Sequence, residues 1–201
     1  MDLTKLPLYL PAMSAERVIV RPFTLEDLEE VHGVMDMDAL REPAGQARLT
    51  RSQRWDWLQW TVAGYLQFAL LNQPPFGDRA IVLRNTGSMI GVCGLVPSVW
   101  PVSPAGGEVV DANPARTAEM GLYWAIAREH RGQGYASEAA RLLIQYAFET
   151  LHLHRIVATT ERSNRASQGV MRTLGMRIEE YPGANPPWFQ LIGIIDHPRF
   201  A

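Results

Sequence analysis

The stretch that decides the fold is residues 119–139, which read Glu-Met-Gly-Leu-Tyr-Trp-Ala-Ile-Ala-Arg-Glu-His-Arg-Gly-Gln-Gly-Tyr-Ala-Ser-Glu-Ala. Its first half is apolar and rich in aromatic residues, which predicts a central strand over 119–127. Gly132 and Gly134 then mark a tight loop, and alanine and leucine recur beyond it at helical spacing. A helix is therefore predicted from about 134 to 150, directly after a glycine-rich loop.

This strand, loop and helix have the composition of an anion site. Glycine lets the backbone turn tightly and brings several amide N–H groups close to a ligand. The positive end of the helix dipole points to the same place, and Arg131 can add a charge-assisted hydrogen bond. These features suit a pyrophosphate, although an ordinary glycine-rich turn has the same composition. The loop is neither a Walker loop nor a Gly-x-Gly-x-x-Gly dinucleotide fingerprint.

The flanking sequence predicts alternating strands and helices on both sides of this segment. Strands are predicted near 17–21, 80–83, 89–95, 155–160, 176–180 and 188–195, and helices over 25–35, 51–71 and 164–174. The order of these elements indicates an α/β (α+β) fold around a mixed sheet. Residues 97–117 are rich in Pro, Gly, Ser and Ala and are interpreted as a loop insertion within one domain that covers 1–201.

Composition excludes several classes of protein. The chain has 201 residues, of which 47% are hydrophobic and 20% charged, so it is neither disordered nor too small for a core. A formal net charge of −2 argues against a stable nucleic-acid partner, and the apolar runs are far shorter than the roughly 20 residues of a membrane helix. The single cysteine allows no intrachain disulfide, and no signal peptide is visible. We therefore expect a cytoplasmic protein without a membrane partner.

Two sequence blocks resemble a known family. Arg131-x-x-Gly134-x-Ala136 is similar to the Arg/Gln-x-x-Gly-x-Gly/Ala signature of the GNAT superfamily of acyl-CoA-dependent N-acyltransferases. The longer string over 130–139 resembles the branch that contains the ribosomal-protein alanine N-acetyltransferases. Residues 164–176 read Asn-Arg-Ala-Ser-Gln-Gly-Val-Met-Arg-Thr-Leu-Gly-Met, which is similar to that branch's Asn-x-x-Ser-x-x-Val-x-x-x-Leu-Gly-Phe pattern. The strong resemblance covers about 118–181.

The resemblance implies a fold and a cofactor site. The fold would have a mostly antiparallel central sheet of about seven strands, helices on both faces, and a central strand pair that splays apart to admit the pantetheine arm of acetyl-CoA. The strand would pair with pantetheine, the loop amides would hold the pyrophosphate, and an asparagine would lie near the reactive end. The residues so implied are Trp124, Ala125, Ile126, Ala127, Arg131, Gly132, Gln133, Gly134, Tyr135, Ala136 and Asn164. Asn164 can equally cap the following helix, and the two roles are compatible.

The resemblance also implies two catalytic residues, with two departures from the family pattern. Many members use a tyrosine to protonate the leaving thiolate, but that position is Met171 here, which cannot donate a proton. Ser167 is therefore the candidate acid, although its hydroxyl could instead bond back to its own helix. Glu119 is the candidate base, although a salt-bridged glutamate is an equal alternative. It stands twelve residues before Arg131, whereas the branch often places this glutamate ten residues before.

The sequence thus predicts an acetyl-CoA-dependent N-acetyltransferase with acetyl-CoA as co-substrate and no metal. Its acceptor would be a primary amine, either a protein N-terminus or a small molecule. The sequence does not fix the oligomeric state and is compatible with a homodimer. One alternative is an acyl-CoA-binding sensor or interaction module without turnover, and another is an unrelated phosphate-binding α/β protein. Cys93 lies in an apolar strand and is interpreted as a core residue rather than a nucleophile.

Overall fold

The computed structural model describes residues 11–36, 49–74, 76–101, 116–181 and 189–199, with only the backbone at 99–101 and 116–117. The strands are β1 (Met13–Ser14), β2 (Val18–Arg21), β3 (Gly77–Leu83), β4 (Met89–Pro101), β5 (Arg116–Ile126), β6 (Arg155–Thr160), β7 (Arg177–Glu180) and β8 (Leu191–Asp196). The helices are α1 (Leu28–Asp36), α2 (Arg51–Leu70), α3 (Tyr135–Glu149) and α4 (Arg165–Thr173), with short 3₁₀ helices at Leu25–Asp27 and Arg128–His130. Within these ranges, no helix is both long and apolar enough to cross a membrane.

The chain divides into two compact units. The first comprises Met1–Leu95 with Trp124–Leu143, and the second comprises Val96–Tyr123 with Ile144–Ala201. Strands β4 and β5 and helix α3 run from one unit into the other. The single acyltransferase domain over 1–201 stays a prediction.

In the first unit, β1 to β4 follow one another as antiparallel neighbours. Alternate residues such as Val18 and Val20 are fully buried, as expected of a strand with one face on a core. Helix α2 begins at a capping box, in which the Thr50 hydroxyl accepts from the Gln53 amide and the Gln53 side chain accepts from the Thr50 amide. Its Leu58 is fully buried, so this helix contributes to the core of the first unit.

In the second unit, β5 pairs in parallel with β6, and β8 runs antiparallel to both β6 and β7. The β5–β6 register holds only at Met120/Ile156 and Gly121/Val157, although both strands continue beyond these pairs. Helix α4 packs closely on β8, since a Cβ on Gly193 would lie only 3.0 Å from Met171 Sδ. This close approach explains a glycine in the middle of a strand.

The predicted fold class is confirmed. The eight strands of the described residues form a mixed, mostly antiparallel sheet, and the pairing of β5 with β6 stops early, as a splayed central pair requires. The predicted loop over 97–117 is shorter than expected, since β4 extends to Pro101 and β5 starts at Arg116; residues 102–115 lie outside the described part. The two-residue β1 was not predicted because it is too short to show a period. Trp188, placed in the last predicted strand, lies outside the described residues, and β8 begins at Leu191.

Candidate functional site

The loop before α3 presents a row of free amides. Gly132 and Gly134 have φ of +74° and +85°, a region that side chains disfavour and that lets successive N–H groups point to one side. Among the described residues, none of the backbone N–H groups of 132–136 donates a hydrogen bond. Further along α3, the Glu138 N–H donates to Gly134 O at 3.1 Å. A Cβ on Gly132 would meet nothing within 4 Å, so the loop is open on that side. These unpaired donors at a helix N-terminus fit a diphosphate.

Arg131 makes a hydrogen bond within the protein in addition to facing the candidate ligand site. Its Nε donates to Ile126 O at 3.0 Å, which ties the loop back to the end of β5. Its own backbone N–H donates to Arg128 O at 3.3 Å, so the row of free amides begins at Gly132 and not at Arg131. The side chain is exposed, and its Nη nitrogens stay available for an anion.

The end of β5 has one edge in use and one edge open. The Ala127 amide donates to Ile90 O at 2.8 Å, and the Ala125 carbonyl lies against Gly91, where an added Cβ would approach it to 2.4 Å. Both residues therefore point their backbone groups to β4. Because N–H and C=O groups alternate sides along a strand, Trp124 and Ile126 direct theirs to the opposite edge. Of the predicted pantetheine-binding strand, these two residues have backbone groups on the open edge, and of these the Ile126 carbonyl already accepts from Arg131 Nε.

Arg17, a residue that the sequence analysis did not select, contacts the loop. Its Nε donates to Glu138 Oε2 at 2.7 Å, and its Nη1 donates to Gln133 O at 2.9 Å. Its guanidinium carbon lies 4.8 Å from the centre of the Tyr135 ring, a cation–π contact. No local sequence signal could reveal these contacts, because Arg17 and Glu138 are 121 residues apart.

In the second unit, Asn164 and Ser167 lie together at the start of α4. Asn164 is the N-cap, and its side-chain oxygen accepts from the Ser167 amide at 3.0 Å. The Ser167 hydroxyl makes no hydrogen bond within the described residues, so it does not bond back to its own helix. Met171, one turn further on, is fully buried and packs against Gly193. The position that the sequence analysis compared with a tyrosine of the resembling superfamily is thus part of the core here.

Glu119 belongs to a charge cluster at one end of β5, β6 and β8. Its Oε1 lies 3.9 Å from Arg155 Nη1, and Arg155 Nε donates to Asp196 Oδ1 at 2.6 Å. The Glu119 side chain is only 18% exposed. Burial raises the pKa of Glu119, the nearby Asp196 carboxylate raises it further, and the positive charges of Arg155 and His154 oppose the shift only in part. A raised pKa is what a carboxylate base acting near neutral pH requires.

Gly121 stands where the resembling branch often places its glutamate, and the structure leaves no room for a side chain there. Gly121 occupies the position ten residues before Arg131. A Cβ there would lie 2.6 Å from Ser98 Oγ and 3.0 Å from Val96 O, so a larger residue would collide with β4. Glu119 shares its side of β5 with Gly121, at the next position free of this constraint.

Tyr123, on the same side of β5 as Glu119, is a second residue that the sequence analysis did not assign to the site. Its hydroxyl is buried and has no hydrogen-bond partner in the described part of the chain. A buried hydroxyl without a partner is costly, so a polar ligand atom that reached it would remove this cost. Strand alternation predicts that Tyr123 and Glu119 share a side of β5, whereas the unpartnered hydroxyl is visible only in the structure.

Two other expectations concern reactive and metal-binding residues. Cys93 is fully buried, and burial raises the pKa of its thiol to about 12, so it is a core residue and not a nucleophile. Within the described ranges, no group of three His, Cys, Asp or Glu side chains could hold a metal ion.

Comparison with known proteins gives relatives along most of the chain. The N-acetyltransferase YoaA of Bacillus subtilis (strain 168) is 26% identical over 170 residues, which cover 84% of each chain. The spermidine N(1)-acetyltransferase of Escherichia coli (strain K12) is 25% identical over 170 residues, or 83% of this chain and 76% of that one. The structure of ribosomal-protein-S5-alanine acetyltransferase from Vibrio fischeri superimposes with a TM-score of 0.65 at 17% identity, covering 94% of this chain and 98% of that one. This last likeness shows the fold.

Coverage is lower for other relatives. Three further Bacillus proteins match over 44%, 48% and 46% of their own length, so the chain spans about half of these curated relatives. The model of the acetyltransferase (GNAT) domain matches residues 17–177, which include β2, the glycine-rich loop and α4. The matched range, the splayed β5–β6 pair and the free loop amides agree, and the chain belongs to the GNAT family of acetyltransferases.

Proposed function

We propose that this protein transfers the acetyl group of acetyl-CoA to a primary amine by direct attack in a ternary complex. The observation that carries the proposal is the run of unpaired backbone N–H groups over 132–136 at the N-terminus of α3. An anion with two adjacent phosphates satisfies several such donors at once, and a bound diphosphate fixes where the rest of the donor molecule lies.

The open edge of β5 supports an acyl donor with a peptide-like arm. Pantetheine contains two amide groups, which can pair with a strand edge as a further strand would. The backbone groups of Trp124 and the N–H of Ile126 lie on the edge away from β4, where the Ile126 carbonyl already accepts from Arg131, and both residues precede the diphosphate loop by a few positions. A simple nucleotide has no such amides, so this edge favours a CoA thioester over ATP or ADP.

The reaction needs a base, a carbonyl polariser and a proton for the leaving sulfur. In our proposal Glu119 takes the proton of the acceptor ammonium, directly or through water, and its raised pKa suits that task. The neutral amine attacks the thioester carbonyl carbon, the C–S bond breaks, and the CoA thiolate takes a proton from Ser167. The Ser167 oxygen regains a proton, directly or through water, from the acceptor nitrogen as the amide forms. The free Ser167 hydroxyl supports this role, whereas the buried Met171 has no proton to give.

Two acceptor classes follow from the relatives. The spermidine enzyme acts, by its name, on a small polyamine, and the Vibrio enzyme on an alanine of a ribosomal protein. The acceptor of this chain is accordingly a small-molecule amine or a protein N-terminus, both of which offer a primary amine to the same thioester. A non-catalytic acyl-CoA sensor is the remaining alternative, favoured by the replacement of the usual tyrosine by the buried Met171.

The test is a calorimetric titration with acetyl-CoA, with ADP as the comparison ligand, followed by a thiol-release assay over polyamines and N-terminal peptides. We expect acetyl-CoA to bind much more tightly than ADP and at least one amine to give stoichiometric thiol release. Equal binding of both ligands would refute the acyl-CoA site. Tight binding without release from any amine would instead identify a sensor.

A further inference from the structure

We propose that Arg17 is a positioning residue that holds the loop 131–136 in the shape that binds the donor's diphosphate. This inference rests on the proposed function, because it assigns a task to a residue outside the acetyl-CoA contacts. Arg17 stands immediately before β2, which is paired on both sides by β1 and β3 and therefore provides a firm anchor. The loop itself is exposed and contains two glycines, so it needs an external support.

The contacts join Arg17 to three successive parts of the loop and helix. Nη1 donates to the Gln133 carbonyl at 2.9 Å, the guanidinium stacks on the Tyr135 ring, and Nε donates to the Glu138 carboxylate at 2.7 Å. A Cβ on Gly134 would lie 3.3 Å from Arg17 Nη2, so the guanidinium also touches the backbone turn. Because the two donors point in fixed and different directions, the planar fork of arginine fixes an orientation that a single charge would not.

Glu138 shows why the loop needs this partner. It lies in the first turn of α3, where a carboxylate competes with a diphosphate for the free amides and repels its charge. The backbone N–H groups of Arg17 and Val18 donate to Glu138 Oε1 at 2.6 and 3.3 Å, and the Arg17 side chain holds Oε2. Three donors thus turn the carboxylate to β2, and the Arg17 guanidinium neutralises its charge. Burial alone would raise the pKa of Glu138, but these hydrogen bonds hold it below its ordinary value.

The experiment compares Arg17→Lys with Arg84→Lys. Arg84 is the matched control because it supports the same β1–β2 turn, donating to Ala15 O at 2.9 Å, but it has no contact with the loop. Both variants keep the net charge. Calorimetry with acetyl-CoA and with its 3′-dephospho form measures ligand affinity, and hydrogen exchange of the Glu138 amide, which donates to Gly134 O, measures loop order without ligand.

We expect Arg17→Lys to weaken both ligands by roughly tenfold, equally, because both carry the diphosphate and the loss is that of a charge-assisted hydrogen bond. Exchange of the Glu138 amide should accelerate, while Arg84→Lys leaves affinity and exchange unchanged. Wild-type affinity and exchange in Arg17→Lys would overturn the inference, since charge alone would then suffice. A loss restricted to acetyl-CoA would also overturn it, because Arg17 would then contact the 3′-phosphate directly. If the wild-type protein binds neither ligand, the proposed function fails, and the exchange data still test the contact.

Discussion

Replacing Gly91 by alanine should loosen the strand that carries the pantetheine edge. The added Cβ would lie 2.4 Å from the Ala125 carbonyl oxygen, and ordinary contacts begin at 3.4 Å, so β4 and β5 must separate locally by about 1 Å. The obstacle is backbone, which cannot rotate away as a side chain can. The same movement stretches the hydrogen bond of Ala127 N–H to Ile90 O, now 2.8 Å.

The expected cost combines overpacking, about 1–3 kcal/mol, with the loss of one hydrogen bond, about 1 kcal/mol. For a chain of this length we expect Tm to fall by roughly 5–15 °C. Acetyl-CoA affinity should fall as well, because Trp124 and Ile126 move with β5. Circular dichroism melts and calorimetry measure both effects.

The matched control is Gly33→Ala. Gly33 lies in α1, where an added Cβ would meet nothing within 4 Å, so this variant should be neutral or more stable by about 0.5–1 kcal/mol. If Gly91→Ala melts at the wild-type temperature, the close approach of β4 and β5 is not as described, and the reasoning is refuted.

Three further changes test the site and its surroundings. Glu119→Gln should lower kcat by about 10²-fold and abolish the loss of activity that occurs as pH falls through the raised pKa of Glu119. The control Glu149→Gln, at an exposed helix end, should change neither kcat nor the pH dependence. A pH–rate profile of Glu119→Gln with an unaltered acidic limb would exclude Glu119 as the base. Ser167→Ala should lower kcat roughly tenfold or more. Its Tm should not change, because Asn164 caps α4 by accepting from the backbone N–H of residue 167, which alanine keeps. Full activity in steady-state assays would remove Ser167 from the mechanism. Burial raises the pKa of Asp78 from 3.8 to about 6, so its stabilising contribution is complete below about pH 4 and is lost as pH rises through 6. Between pH 4 and pH 7.5, the wild type should therefore lose up to about 3 kcal/mol of unfolding free energy that Asp78→Asn does not lose. Urea melts at the two pH values measure this difference, and identical pH dependence of the two proteins would contradict it.

The cofactor loop could be predicted from sequence because its signals are local. Glycines at 132 and 134 and the helical spacing beyond them predict a helix from about 134 to 150, and α3 covers Tyr135–Glu149. Strand β6 was predicted with its observed bounds, Arg155–Thr160. Hydrophobic periodicity and turn residues act within a few positions along the chain, so they can be interpreted without knowledge of the tertiary structure.

Where neighbouring strands decide the outcome, the sequence was less informative. Composition indicated a loop from 97, yet β4 continues to Pro101, because its backbone lies against β5, as the approach of Ser98 to Gly121 shows. Tertiary pairing overrides weak local propensity. The contact of Ser98 with Gly121 also excludes a glutamate at position 121 of β5. The sequence showed only that Glu119 stands twelve rather than ten residues before Arg131.

The sequence by itself determined the family signature, the order of strands and helices, and the residue types available for chemistry. Only the tertiary structure decided how these residues are placed: which edge of β5 is open, that Glu119 is half-buried beside Arg155 and Asp196, and that Arg17 contacts the loop. The physical reason is range. Backbone conformation follows from neighbours along the chain, whereas burial, charge pairing and free hydrogen-bond donors depend on groups that folding brings together from distant positions.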